Sequence, residues 1–86
     1  MEDIYIGKKE ISQYITACFY ALNENKEIKI VARGSYIKKA IDIVAILIRD
    51  YLENPGYSVS INSEPFEERN VSSIEIVLSG IRKSKK

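Results

Sequence analysis

Two segments of this sequence place a glycine and then cations at the start of a helix. The first is Ile6-Gly7-Lys8-Lys9. The second is Arg33-Gly34-Ser35-Tyr36-Ile37-Lys38-Lys39. Free N–H groups at a helix start attract anions. Glycine there lets the backbone approach a phosphate closely. If the two strands before these turns are neighbours, Lys8, Lys9, Arg33, Lys38 and Lys39 share one surface at one sheet edge. That is a phosphate-binding pattern. The plain alternative is a set of solvated cations and a turn glycine. Positive charge at a helix N-terminus opposes the helix dipole, and two helices making that unfavourable choice favour function. Lys38 also has Asp42 four residues on, an exposed pair of small energy.

Other chemistry finds little material. There is no histidine and one cysteine, so nucleophile–base pairs and zinc sites lack their residues. Gly7-Lys8-Lys9 lacks the earlier glycine and the hydroxyl residue of a phosphate-binding Walker loop. Glu64, Glu67 and Glu68 suit a hard cation or, more simply, a solvated loop. The expectation is no enzyme, no metal and no cofactor.

The 86 residues make one domain, spanning 1–86. A domain this short is marginally stable, and small domains often oligomerise. Cys18 cannot form an internal bridge and falls on an apolar helix stripe, so it reads as a small core residue. No basic-then-apolar leader opens the sequence. The apolar run Ile43 to Ile48 is far shorter than the ~20 residues of a membrane span. The expectation is a cytoplasmic protein. Net charge is +1, from 13 basic and 12 acidic residues. Four of the basic residues lie in the last five positions. Without them, nine basic face twelve acidic residues, a net of −3. A basic face must therefore be local and balanced by acidic surface elsewhere.

Periodicity supplies the elements that position these residues. Asp3 to Gly7 reads as a strand. Lys9 to Asn23 reads as a helix with its stripe on Ile11, Tyr14, Ile15, Cys18, Phe19 and Leu22. Glu27 to Arg33 reads as a strand. Ser35 is placed to cap the next helix, which runs to about Glu53. That helix is apolar around much of its circumference, so it must be covered on more than one side. A domain of this size can hardly do so alone, which points to a partner subunit. Asn54-Pro55-Gly56 ends it. Tyr57 to Asn62 alternates as a half-buried strand. Residues 63 to 70 read as a polar loop, Val71 to Ile81 as a strand, and Arg82 to Lys86 as a basic flexible tail. The order β-α-β-α-β-β predicts an α+β fold, a single sheet with both helices packed on it in two layers.

Ile6-Gly7-Lys8-Lys9, then Ala32-Arg33-Gly34-x-x-Ile37-x-Lys39-Ala40-Ile41-Asp42, then Val71-Ser72-Ser73-Ile74-Glu75-Ile76 are three motifs in a set order. Together they resemble the Alba family of archaeal chromatin and RNA-binding proteins. The resemblance covers about residue 4 to residue 78. It implies a fold like the C-terminal domain of translation initiation factor three, with the last two strands extended as a hairpin arm. It implies a dimer that binds double-stranded DNA or RNA without sequence preference, as a chromosome-associated protein. Lys8, Lys9, Arg33 and Lys39 match the family's binding positions. Tyr14 matches a position near the binding face, and Tyr51 an aromatic position that packs dimers side by side.

The sequence departs from the family at two points. Ser35 stands where a further basic residue is usual. The hairpin tip Glu64-Pro65-Phe66-Glu67-Glu68-Arg69 is short and acidic where a longer basic arm is usual. Arg69 is the one cation of that tip, and Phe66 is free to stack on a ligand or to pack on its own loop. These departures motivate an alternative reading, in which the chain pairs with a more basic Alba paralogue and binds nucleic acid weakly by itself.

Overall fold

A computed structural model describes residues 1–83. Four strands and two helices follow the expected order: β1 (Glu2–Tyr5), α1 (Ile11–Glu24), β2 (Glu27–Arg33), α2 (Ile37–Ile46), β3 (Leu52–Phe66) and β4 (Arg69–Arg82). They form one sheet in the order β1-β2-β4-β3. β1 runs parallel to β2, and the other neighbours are antiparallel.

Alternation along the strands decides where the helices sit. Ile28, Ile30 and Ala32 of β2 lie opposite Leu78, Ile76 and Ile74 of β4, and all six are buried. Their neighbours Lys29, Val31, Arg33, Glu75 and Val77 point to the other face and are half-buried or exposed. Both helices therefore cover one face, and the opposite face is open to solvent. In α1, Tyr14, Cys18, Ala21 and Leu22 are buried at the spacing of one helical face. Cys18 is fully buried. Burial, and secondarily the charge of Glu2, pushes its thiol up to about 12, so no reactive thiolate exists near neutral pH. Gln13 accepts a hydrogen bond from the Glu10 N–H at 3.2 Å, fixing the start of α1.

The structure corrects the expected boundaries. The second helix does not reach Glu53. It ends at Ile46, widens into a single π turn over Leu47–Tyr51, and gives way to strand at Leu52. Leu47 and Leu52 are both buried, and the wide turn is what brings both into the core. The apolar spacing fits a longer helix, but pairing of Leu52 with Arg82 of β4 prevails. Asn54-Pro55-Gly56 lies within β3 at a register shift between Glu53 and Gly56, with Asn54 at φ +51°. β3 is an edge strand, where a proline bulge leaves no ladder bond unmade.

Residues 63 to 70 are not a loop. Ser63, Glu64, Pro65 and Phe66 pair with Ser72, Val71, Asn70 and Arg69. The segment is polar because no helix covers either face there. Only Glu67 and Glu68 turn the chain, with Glu67 at φ +57°. The resulting arm contributes to a longest dimension of 52 Å, against 23 and 19 Å across.

Arg82 and Lys83, expected in a flexible tail, are instead held by the fold. Arg82 closes β4, its guanidinium lying 4.4 Å over the Phe19 ring. The Lys83 N–H donates to the Tyr51 carbonyl at 3.0 Å. Lys85 and Lys86 lie outside the described residues.

Candidate nucleic-acid interface

The parallel pairing of β1 with β2 ends both strands at the same sheet edge. The Ile6 N–H extends that pairing to the Val31 carbonyl at 2.9 Å. Gly7 and Gly34 then open their turns side by side. Gly34 has φ +56°, a backbone that glycine adopts without strain. The expected Ser35 cap does not form. Gly34–Tyr36 makes a 3₁₀ turn instead, and the Gly34 carbonyl accepts the Ile37 N–H.

Lys39 joins the two turns. Its Nζ donates to the carbonyls of Gly7 at 2.7 Å and Lys9 at 2.8 Å, across 32 and 30 residues of chain. It lies 5.8 Å from the Tyr14 ring centroid and 5.5 Å from that of Tyr36. Tyr14 completes the arrangement from beneath. Its hydroxyl accepts the Gly7 N–H at 2.7 Å and the Lys9 N–H at 3.3 Å. Tyr14 is thus buried under the lysine turn, and supports the surface without being part of it. Two of the three Lys39 donors are committed to carbonyls, so Lys39 clamps the two turns together and keeps one donor for a further acceptor. Lys8 and Lys9 stand exposed on the clamped turn. Neither makes an ion pair among the described residues.

The remaining cations have acidic neighbours. Lys38 Nζ lies 3.0 Å from Asp42, the expected i,i+4 pair. Arg33 lies 3.7 Å from Glu64 on the arm. A loop at residues 63 to 70, as the polar sequence suggests, would not bring Glu64 to Arg33. Continuing the strand alternation past Asn62 would have put Glu64 on the same face as Arg33. Both pairs are largely exposed, so each contributes under about 1 kcal/mol and is readily exchanged for another anion. Replacing Glu64 with Gln should free Arg33 and remove one repulsive charge. We expect duplex binding about two- to fivefold tighter at low salt, read by fluorescence polarisation. Unchanged binding would show that Arg33 is not a contact.

Arg69 lies opposite Phe66 at the end of the arm, away from the lysine turns. Tyr51 lies on the π turn, edge-on to Phe19 with ring centroids 5.6 Å apart. Phe19 meets Tyr20 similarly at 6.3 Å, so Tyr51 belongs to an aromatic patch on the outer side of α1. Beside it, the Asp50 carboxyl is held below the usual carboxylate range, chiefly by a hydrogen bond from Arg49.

An apolar groove of about 350 Å³ lies between α2 and the arm. Ile41, Tyr57, Val59 and Ile61 line it and are 48%, 62%, 47% and 72% exposed. This is the uncovered side of α2 that the sequence anticipated. Among the described residues no group of three or more His, Cys, Asp or Glu side chains is placed to hold a metal ion. No helix among them is long and apolar enough to cross a membrane.

Comparison with known proteins agrees with this architecture. The Alba family model matches residues 2–63. The chain is 37% identical over 83 residues to the DNA/RNA-binding protein Alba of Nitrosopumilus maritimus, covering 87% of this chain and 86% of that one. It is 37% identical over 83 residues to the protein of the same name from Picrophilus torridus, covering 88% and 92%. The solved structure of Alba from Thermoplasma volcanium superposes with a TM-score of 0.81 at 36% identity, covering 90% of this chain and 98% of that one. The chain belongs to the Alba family.

Proposed function

We propose that this protein binds double-stranded DNA or RNA through the phosphate backbone, without sequence preference, as a two-fold dimer. The observation that carries the reading is the Lys39 clamp, which sets Lys8 and Lys9 out on a fixed turn beside the start of α2. Arg33 and Lys38 flank it with pairs weak enough to exchange for phosphate. Relatives named as DNA/RNA-binding proteins support the same chemistry. The apolar groove supports the dimer, since contiguous exposed apolar surface marks an association site. Two-fold symmetry would double the cationic surface of a nearly neutral chain. Tyr51 and its aromatic neighbours would pack one dimer against the next along a nucleic acid. Association with the chromosome in the cytoplasm follows from such binding, and the reading requires no catalytic group.

Each phosphate neutralised on duplex DNA lowers log K by about 0.9 per unit of log salt. Five cations per protomer set a ceiling of about ten contacts per dimer, lowered where Lys39 is engaged by backbone. Gel shifts on two unrelated duplexes at two salt concentrations test the proposal. Equal affinity for both sequences, falling steeply with salt, is the expected result. Binding indifferent to salt would contradict it.

The acidic partners of Arg33 and Lys38 favour a second reading, pairing with a more basic paralogue. Light scattering on a mixture of the two chains would reveal a stable mixed dimer. Exclusive self-pairing would exclude it.

A further inference from the structure

The hairpin arm carries a feature that backbone binding to a duplex does not use. Along β3 and β4, Glu64 pairs with Val71 and Phe66 with Arg69, so these four side chains share the helix-free face with Arg33. With Pro65 they enclose an open cleft of about 250 Å³. Phe66 is 56% exposed, on a two-stranded ribbon with no core beneath it. An exposed ring there contributes little to folding. It lies beside two guanidinium groups, one of them held only by a 3.7 Å exposed ion pair.

We propose that this cleft is a binding site for one unpaired nucleotide of a single-stranded DNA or RNA. The base stacks on the Phe66 ring. Its phosphate lies between Arg33 and Arg69. Glu64, released from Arg33, accepts a hydrogen bond from an N–H group on the pairing edge of the base, a donor that every base offers. The size suits a flat ring system, being smaller than the pockets that hold drug-sized ligands. Every base has a π face, so the site tolerates sequence, and Arg adds cation–π attraction. A base stacked inside a duplex cannot reach the ring. The carboxylates Glu67 and Glu68 at the turn also oppose entry of the tip between the two phosphate chains of a groove. The arm therefore gives the protein a second preference, for strand ends, bulges and loops, beside the backbone contacts of the lysine turns. The inference rests on the proposed function, because the lysine turns hold the rest of the strand.

Fluorescence polarisation with short single strands of DNA and of RNA, and with the matching blunt duplex, tests it. Phe66→Ala should weaken single-strand binding about tenfold and leave duplex binding within twofold. Phe66→Leu keeps apolar bulk without a ring and should lose as much. Phe66→Tyr keeps the ring and should bind as the parent does. Loss confined to DNA or to RNA identifies which strand the site takes. Phe66→Leu binding single strands as tightly as the parent overturns the inference, as does equal weakening on duplex and single strand. If Lys8→Ala weakens both ligands while Phe66→Ala weakens neither, the backbone reading stands and this one falls. A parent protein that binds no ligand overturns both.

Discussion

Replacing Ile61 with Asp should convert the proposed dimer to monomers and lower duplex affinity by about a hundredfold or more. Ile61 projects into the apolar groove beside α2 and is 72% exposed in the single chain. The substitution therefore costs the monomer little. In a dimer closed over that groove, it buries an unpaired carboxylate, and symmetry repeats the fault in the partner. Separating the protomers removes the second set of phosphate contacts, and losing such bivalency commonly costs ~10²–10⁴ in affinity. Light scattering after gel filtration reads the mass, circular dichroism confirms the fold, and polarisation reads the affinity. A variant that stays dimeric would exclude the groove as the interface. A monomer with undiminished affinity would separate dimerisation from binding.

The second large effect belongs to Lys39. Lys39→Met keeps most of the stem but removes the donors to the Gly7 and Lys9 carbonyls, and the ammonium between Tyr14 and Tyr36. Hydrogen bonds from a charged donor are worth about 1.5–3 kcal/mol each when buried, and these are partly open to water. A net loss near 1–2 kcal/mol lowers Tm by about 4–16 °C in a domain of this size. Affinity should fall further than for Lys8→Ala, because the turn that presents Lys8 and Lys9 comes loose. Lys39→Arg separates geometry from charge. The guanidinium fork retains the charge but not the compact ammonium that reaches both carbonyls. Partial recovery is expected from Arg. Full recovery of binding and Tm would mean that charge alone matters and the clamp does not.

These two residues also show how far a sequence can be read. The stripe of α1 and the alternation of β2 located the core, because burial on one face imposes a period on apolar residues. Cys18, Ile28 and Ile30 lie inside for that reason. The excess apolar surface of α2 was visible as well, and it survives as the groove containing Ile41. Lys39 was visible as a cation on the correct turn, but not as a clamp. Its partners are backbone carbonyls 30 and 32 residues away, and backbone acceptors leave no mark in composition. Tyr14 likewise looked like a stripe residue, and its hydroxyl bonds to Gly7 and Lys9 depend on tertiary placement.

The arm is hard to read from sequence for a different reason. Residues 63 to 66 are polar on both faces, so no hydrophobic period announces a strand where none is buried. Antiparallel pairing continues there because the Glu67-Glu68 turn closes it tightly and the ladder bonds need no core. Extending the register past Ile61 places Glu64, Phe66 and Arg69 on the face of Arg33. The helix that stopped early at Ile46 is a case of tertiary override. Two leucines five residues apart both reach the core only through the π turn.

In the proposed dimer the exposed lysines of the clamped turn contact phosphates from both protomers. The salt dependence of binding by the parent, set against that of Lys8→Ala/Lys9→Ala, counts those contacts. Four lost contacts per dimer should flatten the slope of log K against log salt by about 3 to 4 on duplex DNA. A weaker variant with an unchanged slope would mean that these lysines do not touch the backbone, and the proposed interface would be wrong.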